Sequence, residues 1–447
     1  MKHLWRAAVL VAVATVAAPR PAPGADAFRR AGRAVQISTD TLVGPPGSQN
    51  DTQVEPAVAI DPNDSTAIVA VFQQGRFSDG GSADPGFATS HDGGVTWVTG
   101  NLPGLTVAVG GPFERASDPA VAFGPDGAVY VTTLPFNDSD CRSGVAVQRS
   151  DDGGVSFGAP VFAQDDSSCS IMNDKNWITV DTAPGSPHLG RVYLAWDQIQ
   201  STGAPIVLRY SDDRGATWSA LATVSSANGI GVIPLVQPDG DLTLVYEQYP
   251  PSVEVSQTSH DGGVTFDSPV SIGTFQGTGP PDVRTGGLPA AAVDPVTGAL
   301  YAVWQDSRFR SDGLNDVVVS TSVDGGASWD AVRVVNRAST RDHFTPAVAA
   351  HGGFVHFLYR SRRDLSPRVD ARYVVSADGG STFGAERRLG RTADLRFAAV
   401  AGGDAFLGDY AGLAASADAA HAVWCLPSRP HGTLPPHQTT WSATITR

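Results

Sequence analysis

The chain has 447 residues, with 49 glycines, 32 prolines and three cysteines, which is the punctuation of many short strands joined by tight turns. Its formal net charge of −14 excludes a general affinity for nucleic acid or for an anionic membrane surface. It has no heptad pattern and no low-complexity core, and the two or three domains its length would allow give way to an internal repeat.

Lys2, His3 and Arg6 give a basic start, Ala7 to Ala18 is an apolar run, and Arg20-Pro-Ala-Pro-Gly-Ala25 follows. This order predicts a secretory signal over residues 1–24 and an exported mature chain over 25–447. The apolar run is too short for a stable anchor and no later stretch is long enough, so no membrane insertion is expected. No cysteine near the cleavage region suggests a lipoprotein.

Arg33-Ala-Val-Gln-Ile-Ser38 then reads as a lone strand. Beyond it a two-strand pattern recurs: a short apolar strand, a turn carrying Pro, Gly or Asp, and a second strand often ending in an aromatic. Its copies begin near residues 55, 118, 174, 231, 288, 345 and 410. After each of the first six copies comes a box of the form Ser-x-Asp-x-Gly-x-Ser/Thr-aromatic. The boxes are Ser90-His-Asp-Gly-Gly-Val-Thr-Trp97, Ser150-Asp-Asp-Gly-Gly-Val-Ser-Phe157, Ser211-Asp-Asp-Arg-Gly-Ala-Thr-Trp218, Ser259-His-Asp-Gly-Gly-Val-Thr-Phe266, Ser322-Val-Asp-Gly-Gly-Ala-Ser-Trp329 and Ser376-Ala-Asp-Gly-Gly-Ser-Thr-Phe383. Asp and Ser/Thr side chains close tight turns onto backbone N–H groups, Gly supplies φ > 0, and the last aromatic is aimed inward. The box aspartates are therefore structural and stand outside the candidate site.

The box resembles the Asp-box repeat of bacterial neuraminidases, which sits on the hairpin between the two outer strands of a propeller blade. The resemblance implies an all-β chain forming a single β-propeller of the sialidase-like kind. Boxes alone would give six blades; inner-strand pairs give seven, and seven is preferred. The seventh pair, Tyr410 to Ala415 with His421 to Trp424, has no box and only Thr439 to Thr446 after it. Residues 33–39 are expected to supply its missing outer strand, which closes the ring and hides two sheet edges.

Of the cysteines, Cys141 and Cys169 fall in loops on one face, one blade apart, and are the natural disulfide pair for an exported chain; Cys425 is left over. No His-x-x-x-His or Cys-x-x-Cys pattern occurs, and no metal or cofactor is expected. Asp138, Asp140, Asp165 and Asp166 lie in two neighbouring loops that would suit Ca²⁺, but solvated acidic loops are the preferred reading. Gly154-Val-Ser-Phe-Gly158 lies inside a box and is not a nucleophile elbow.

Residues just before the first strand and just after the second of each copy converge on the funnel mouth. They include Glu55, Asp118, Asp174, Lys175, Arg284, Asp409 and Tyr410, and Arg76, Asp197, Glu247, Asp306, Arg308 and Arg362. Arginines facing one pocket suit a carboxylate ligand, gripped by bidentate pairs. The sialidase resemblance implies three arginines, an acid/base Asp and a Tyr–Glu pair. On this chain the catalytic candidates are Tyr410, Glu247 and Asp118. The substrate-binding candidates are Arg284, Arg308, Arg362, Asp306 and Asp174. Where sialidases open with an Arg-Ile-Pro-like segment this chain has Val54-Glu-Pro-Ala57. The preferred function is a secreted, monomeric sialidase-like glycoside hydrolase acting on a carbohydrate, anionic or otherwise. The alternatives are a non-catalytic propeller binding glycan or protein, and a polysaccharide lyase with Tyr410 as base.

Overall fold

The computed structural model describes residue 28 and residues 30–337, 340–363, 366–429 and 437–447. The expected signal at 1–24 and most of the proline-rich connection after Pro427 lie outside them. Among the described residues the chain is all-β, with two three-residue 3-10 turns and no α-helix.

The alternation of buried and polar positions, together with Gly- and Asp-closed turns, folds the chain as successive antiparallel runs. The first comprises Ser48–Ile60, Ile68–Phe77, Ser82–Ser90 and Val98–Asn101, and the second Arg115–Phe123, Val129–Phe136, Ser143–Ser150 and Val161–Asp166. Four more runs of four strands begin at Ile171, Gly229, Ala290 and Arg341, each a separate sheet. The last run is Gly412–Ala415, Ala419–Ser428 and His437–Thr446, and the N-terminal strand Val35–Gln36 adds to it with Val35 opposite Ser442. These small sheets form a propeller arrangement. The sheets of four or more strands number five, not the seven or six blades expected. The difference has a local cause. The first, second and last runs are joined by single bridges, Ser82 to Ala116 and Thr52 to Gln438, into one 13-stranded sheet.

The six boxes share one geometry. In the first, Ser90 Oγ meets Asp92 Oδ1 at 2.8 Å and accepts from Gly94 N at 2.9 Å, while Asp92 Oδ1 accepts from Thr96 N at 2.8 Å. The same bonds recur around Asp152, Asp213, Asp261, Asp324 and Asp378. Each box reaches the run before it: Thr89 donates to the Gly154 carbonyl, Phe157 meets Phe87 edge-on at 4.9 Å, and Trp329 Nε1 donates to Ser256 Oγ. Between sheets lie fully buried aromatics, among them Trp196, Trp304 and Trp424 at matching positions of their second strands. Truncating one such side chain to alanine costs roughly 3–5 kcal/mol, so the ring is held chiefly by inter-sheet packing.

Candidate functional site

The boxes lie at one end of the runs, and the inner strands begin at the other. Five inner strands slip register soon after they begin: between Val54 and Ala57, Ser117 and Ala120, Asp174 and Trp177, Ile230 and Ile233, and Phe344 and Ala347. At each slip one residue turns into the left-handed region: Glu55 at φ 54°, Asp118 at 47°, Lys175 at 47°, Gly231 at 73° and Thr345 at 49°. Only glycine adopts that backbone at no cost, and the others are held there by the surrounding sheet. Pro56, Pro119 and Pro346 follow three of them, and proline further restricts the residue before it. The bulge re-aims side chains that a regular strand would point into its neighbours.

Glu55, Asp118 and Lys175 thereby line a cavity of about 690 Å³, together with Arg76, Asp174, Arg284 and Asp409. The disulfide Cys141–Cys169 and Met172 form part of its wall. Gln73 ties the acids together: its Nε2 donates to Glu55 Oε2 and to Ser117 Oγ, and Ser117 Oγ donates to Asp118 Oδ2 at 2.8 Å. The other Glu55 oxygen accepts from Asp409 N at 3.3 Å. Arg76 donates to Gln73 Oε1 at 2.9 Å, and Arg284 pairs with Asp409 at 3.0 Å.

Burial dominates the titration of this cluster. It raises the Glu55 carboxyl to about 8, helped by the neighbouring Asp118 and Asp409 charges and opposed by Arg76 and Lys175. It raises Asp174 to about 6, with Asp118 adding and the Lys175 backbone N–H opposing. Asp409 is raised despite its arginine, because burial outweighs the Arg284 charge. Asp197, behind Asp174 and 1% exposed, is pushed far up by burial, with the Asp174 and Asp118 charges adding.

Of the residues expected at the mouth, Asp118, Asp174 and Arg284 share this cup. Tyr410 is buried, and its hydroxyl donates to the Pro119 carbonyl at 3.2 Å. Its ring meets Trp177 edge-on at 5.6 Å and carries the Lys175 ammonium at 3.9 Å from its centre. It borders the bore of the ring rather than the cup. Glu247 accepts from Ser252 Oγ at 2.8 Å and lines a separate groove with Gln276 and Gln305. Asp306 is buried and occupied by Arg308, which reaches it through both Nε and Nη2. Arg362 donates to the Ser366 and Pro281 carbonyls. Glu247, Asp306, Arg308 and Arg362 therefore do not join Asp118 in the cup. Glu55, Arg76, Lys175 and Asp409 do; they stood among the rim residues, and the Glu-Pro and Asp-Pro pairs at the strand starts were the available signal. Cys425 is a buried free thiol. In the acidic loops Asp138 pairs with Arg115 and Asp165 with Arg142.

No family model matches the chain, and no curated relative does. Solved structures do. An ulvan lyase of a polysaccharide lyase family, bound to -[GlcA(1-4)Rha3S]-, is 11% identical over 90% of this chain and 97% of its own, with a TM-score of 0.52. A Dyadobacter fermentans protein of unknown function is 16% identical over 93% of this chain and 99% of its own, at 0.47. A Hadza microbial sialidase is 13% identical over 94% and 97%, at 0.48. At these identities the likeness is one of fold. The chain is a β-propeller whose solved neighbours include a sialidase and a polysaccharide lyase. Among the described residues no helix is long and apolar enough to cross a membrane, and the disulfide fits an oxidising compartment.

Proposed function

We propose that the protein is an exported glycoside hydrolase that takes a carbohydrate in the cup. The observation that carries this reading is the group of carboxyls, Glu55, Asp118 and Asp174, that the bulged strand starts gather on one cavity. Glu55 and Asp118 are held at positive φ on neighbouring runs, with both carboxyls bordering one cavity. Glycoside hydrolysis needs a carboxylic acid that stays protonated and a second carboxylate that does not. Glu55, raised to about 8, suits the first role, and Asp174, raised only to about 6, suits the second. Asp118 positions Glu55 through Ser117 and Gln73, and Arg76, Lys175 and Arg284 supply cationic contacts for an acidic sugar. Tyr410 serves in this reading as the platform for Lys175 rather than as a nucleophile.

A second reading, elimination from a uronate polymer, draws on the same cations and on the fold shared with the ulvan lyase. One experiment separates the two. Residues 25–447 and the variant Glu55→Gln are incubated with fluorogenic glycosides, an α-sialoside included, and with uronate polysaccharides. Fluorophore release that the variant loses supports hydrolysis. Ultraviolet absorbance from an unsaturated uronate supports the lyase. Silence on every substrate favours a binding propeller.

The ring itself we read as seven blades. The two single bridges that fuse the largest sheet support counting its three antiparallel runs separately. A crystal structure with fewer than seven inner strands around the axis would overturn that count. Edman sequencing of protein recovered from culture medium tests export and cleavage near residue 24.

A further inference from the structure

One face of the sixth run carries a concentration of arginine that folding does not explain. Arg341, Arg363, Arg368, Arg372 and Arg388 line a single depression of about 380 Å³ with Asp370 and Thr392. None of them lines the cup. The strand register makes the arrangement costly. Arg341 stands directly opposite Arg363, and Arg372 directly opposite Arg388. Like charges directly opposed across an antiparallel pair destabilise the sheet.

The local acids do not balance them. Asp370 is already engaged by Arg372 at 2.7 Å, Arg341 at 3.4 Å and the Thr392 hydroxyl at 2.6 Å. Glu386 is engaged by Arg372 at 3.5 Å. Among the described residues Arg388 donates to the neutral Thr392 hydroxyl, at 3.3 Å, and to no acid. Arg363, Arg368 and Arg388 are exposed, and none of them has an acidic partner among the described residues. The depression thus holds three guanidinium groups that make no ion pair among the described residues, although Asp394 stands opposite Arg368 across the strands, on a chain whose overall charge is −14.

We propose that this face of the sixth run is a binding site for an anionic polysaccharide, with Arg363, Arg368 and Arg388 gripping its sulfate or carboxylate groups. Guanidinium forks match those oxyanions in bidentate fashion, and a polymer brings several along one chain. A ligand would relieve the repulsion that the sheet bears. The site holds a chain away from the cup and does not depend on which reaction, if any, the cup performs.

The test is binding of dextran sulfate, polygalacturonate and neutral dextran to residues 25–447, measured by calorimetry at two salt concentrations. Wild-type protein and Arg284→Ala, which loses a cation of the cup, should bind an anionic polymer equally and more weakly in high salt, and neutral dextran not at all. Arg363→Ala/Arg368→Ala should bind about tenfold or more weakly, as the loss of charge-assisted hydrogen bonds requires. Arg363→Lys/Arg368→Lys keeps the charge but not the fork and should fall between. Preference for dextran sulfate or for polygalacturonate identifies sulfate or carboxylate as the recognised group. Equal binding by the alanine pair and wild type overturns the proposal, as does wild-type protein that binds neither anionic polymer. Loss of binding in Arg284→Ala alone would instead place the polymer in the cup. Matching thermal midpoints for all variants exclude misfolding as the cause.

Discussion

At the scale of single residues, Glu55 has the most consequential surroundings. It sits at positive φ before a proline and is 3% exposed, yet it borders the cup. With its carboxyl raised from 4.5 to about 8, the folded chain holds a proton that the unfolded chain has released across that interval. The associated stability is complete below the ordinary glutamate range and is lost as pH rises towards about 8. Glu55→Gln should therefore flatten the decline in thermal midpoint between about pH 4.5 and 8, and scanning calorimetry across that range checks it. If Glu55 is the general acid, the same variant should lose about 10²–10⁴ of kcat, and wild-type activity should fall as pH passes about 8. Tyr410 gives the opposite expectation. Tyr410→Phe removes one hydrogen bond to the Pro119 carbonyl, worth about 1 kcal/mol, and should leave turnover within a few-fold. Complete loss of activity in that variant would restore it as nucleophile.

At the scale of elements, the boxes and the disulfide do separable jobs. A box carboxylate accepts three or four local bonds, which hold Asp92, Asp152, Asp213 and Asp261 down at about 2. Asp378→Ala should cost about 1–2 kcal/mol, read from urea midpoints, without changing ligand affinity at the cup. The disulfide closes a separation of 28 residues and so contributes about 3–4 kcal/mol in the chain-entropy view. Because it also walls the cup, Cys141→Ser/Cys169→Ser should weaken both stability and binding there, whereas the box variant should weaken stability alone. A disulfide variant with native affinity would mean that the wall is held by Arg142 and Asp165 instead.

The same scale explains what could be read in advance. The boxes were legible because turn chemistry is local: Asp92, Gly94 and Thr96 satisfy one another within a few residues. The pairing of Cys141 with Cys169 and the docking of Val35–Gln36 on the last run followed from the repeat. The cup was only half legible. Repeat positions brought Asp118, Asp174 and Arg284 to one end. What separates them from Glu247, Arg308 and Arg362 is the local partner each of those finds, Ser252, Asp306 and the Ser366 carbonyl, and such pairing has no periodic signature. The sheet count failed for a similar reason, since single bridges such as Ser82 to Ala116 depend on how closely two runs approach.

For the whole molecule, the ends of the chain decide how the ring is held. Arg30–Ala31 and Val35–Gln36 pair with His437–Thr446, and Ile37 N donates to the Thr440 carbonyl at 3.0 Å. Phe28, 1% exposed, meets Phe354 at 5.0 Å and His356 at 4.7 Å, while Arg387 donates to its carbonyl. The N-terminal segment therefore spans from the last run to the sixth and covers a strand that would otherwise be a bare edge. Phe28→Ala should cost roughly 3–5 kcal/mol. Removing residues up to 38 should cost more and expose the donors and acceptors of His437–Thr446 to pairing with another copy. The expected result is a lower thermal midpoint together with concentration-dependent association in sedimentation velocity. Phe28→Ala should share the first effect and not the second, because it leaves the edge covered. A truncated chain that stays monodisperse with an unchanged midpoint would show that the propeller closes without its N-terminal strand. The ring would then be held by its inter-sheet aromatics alone.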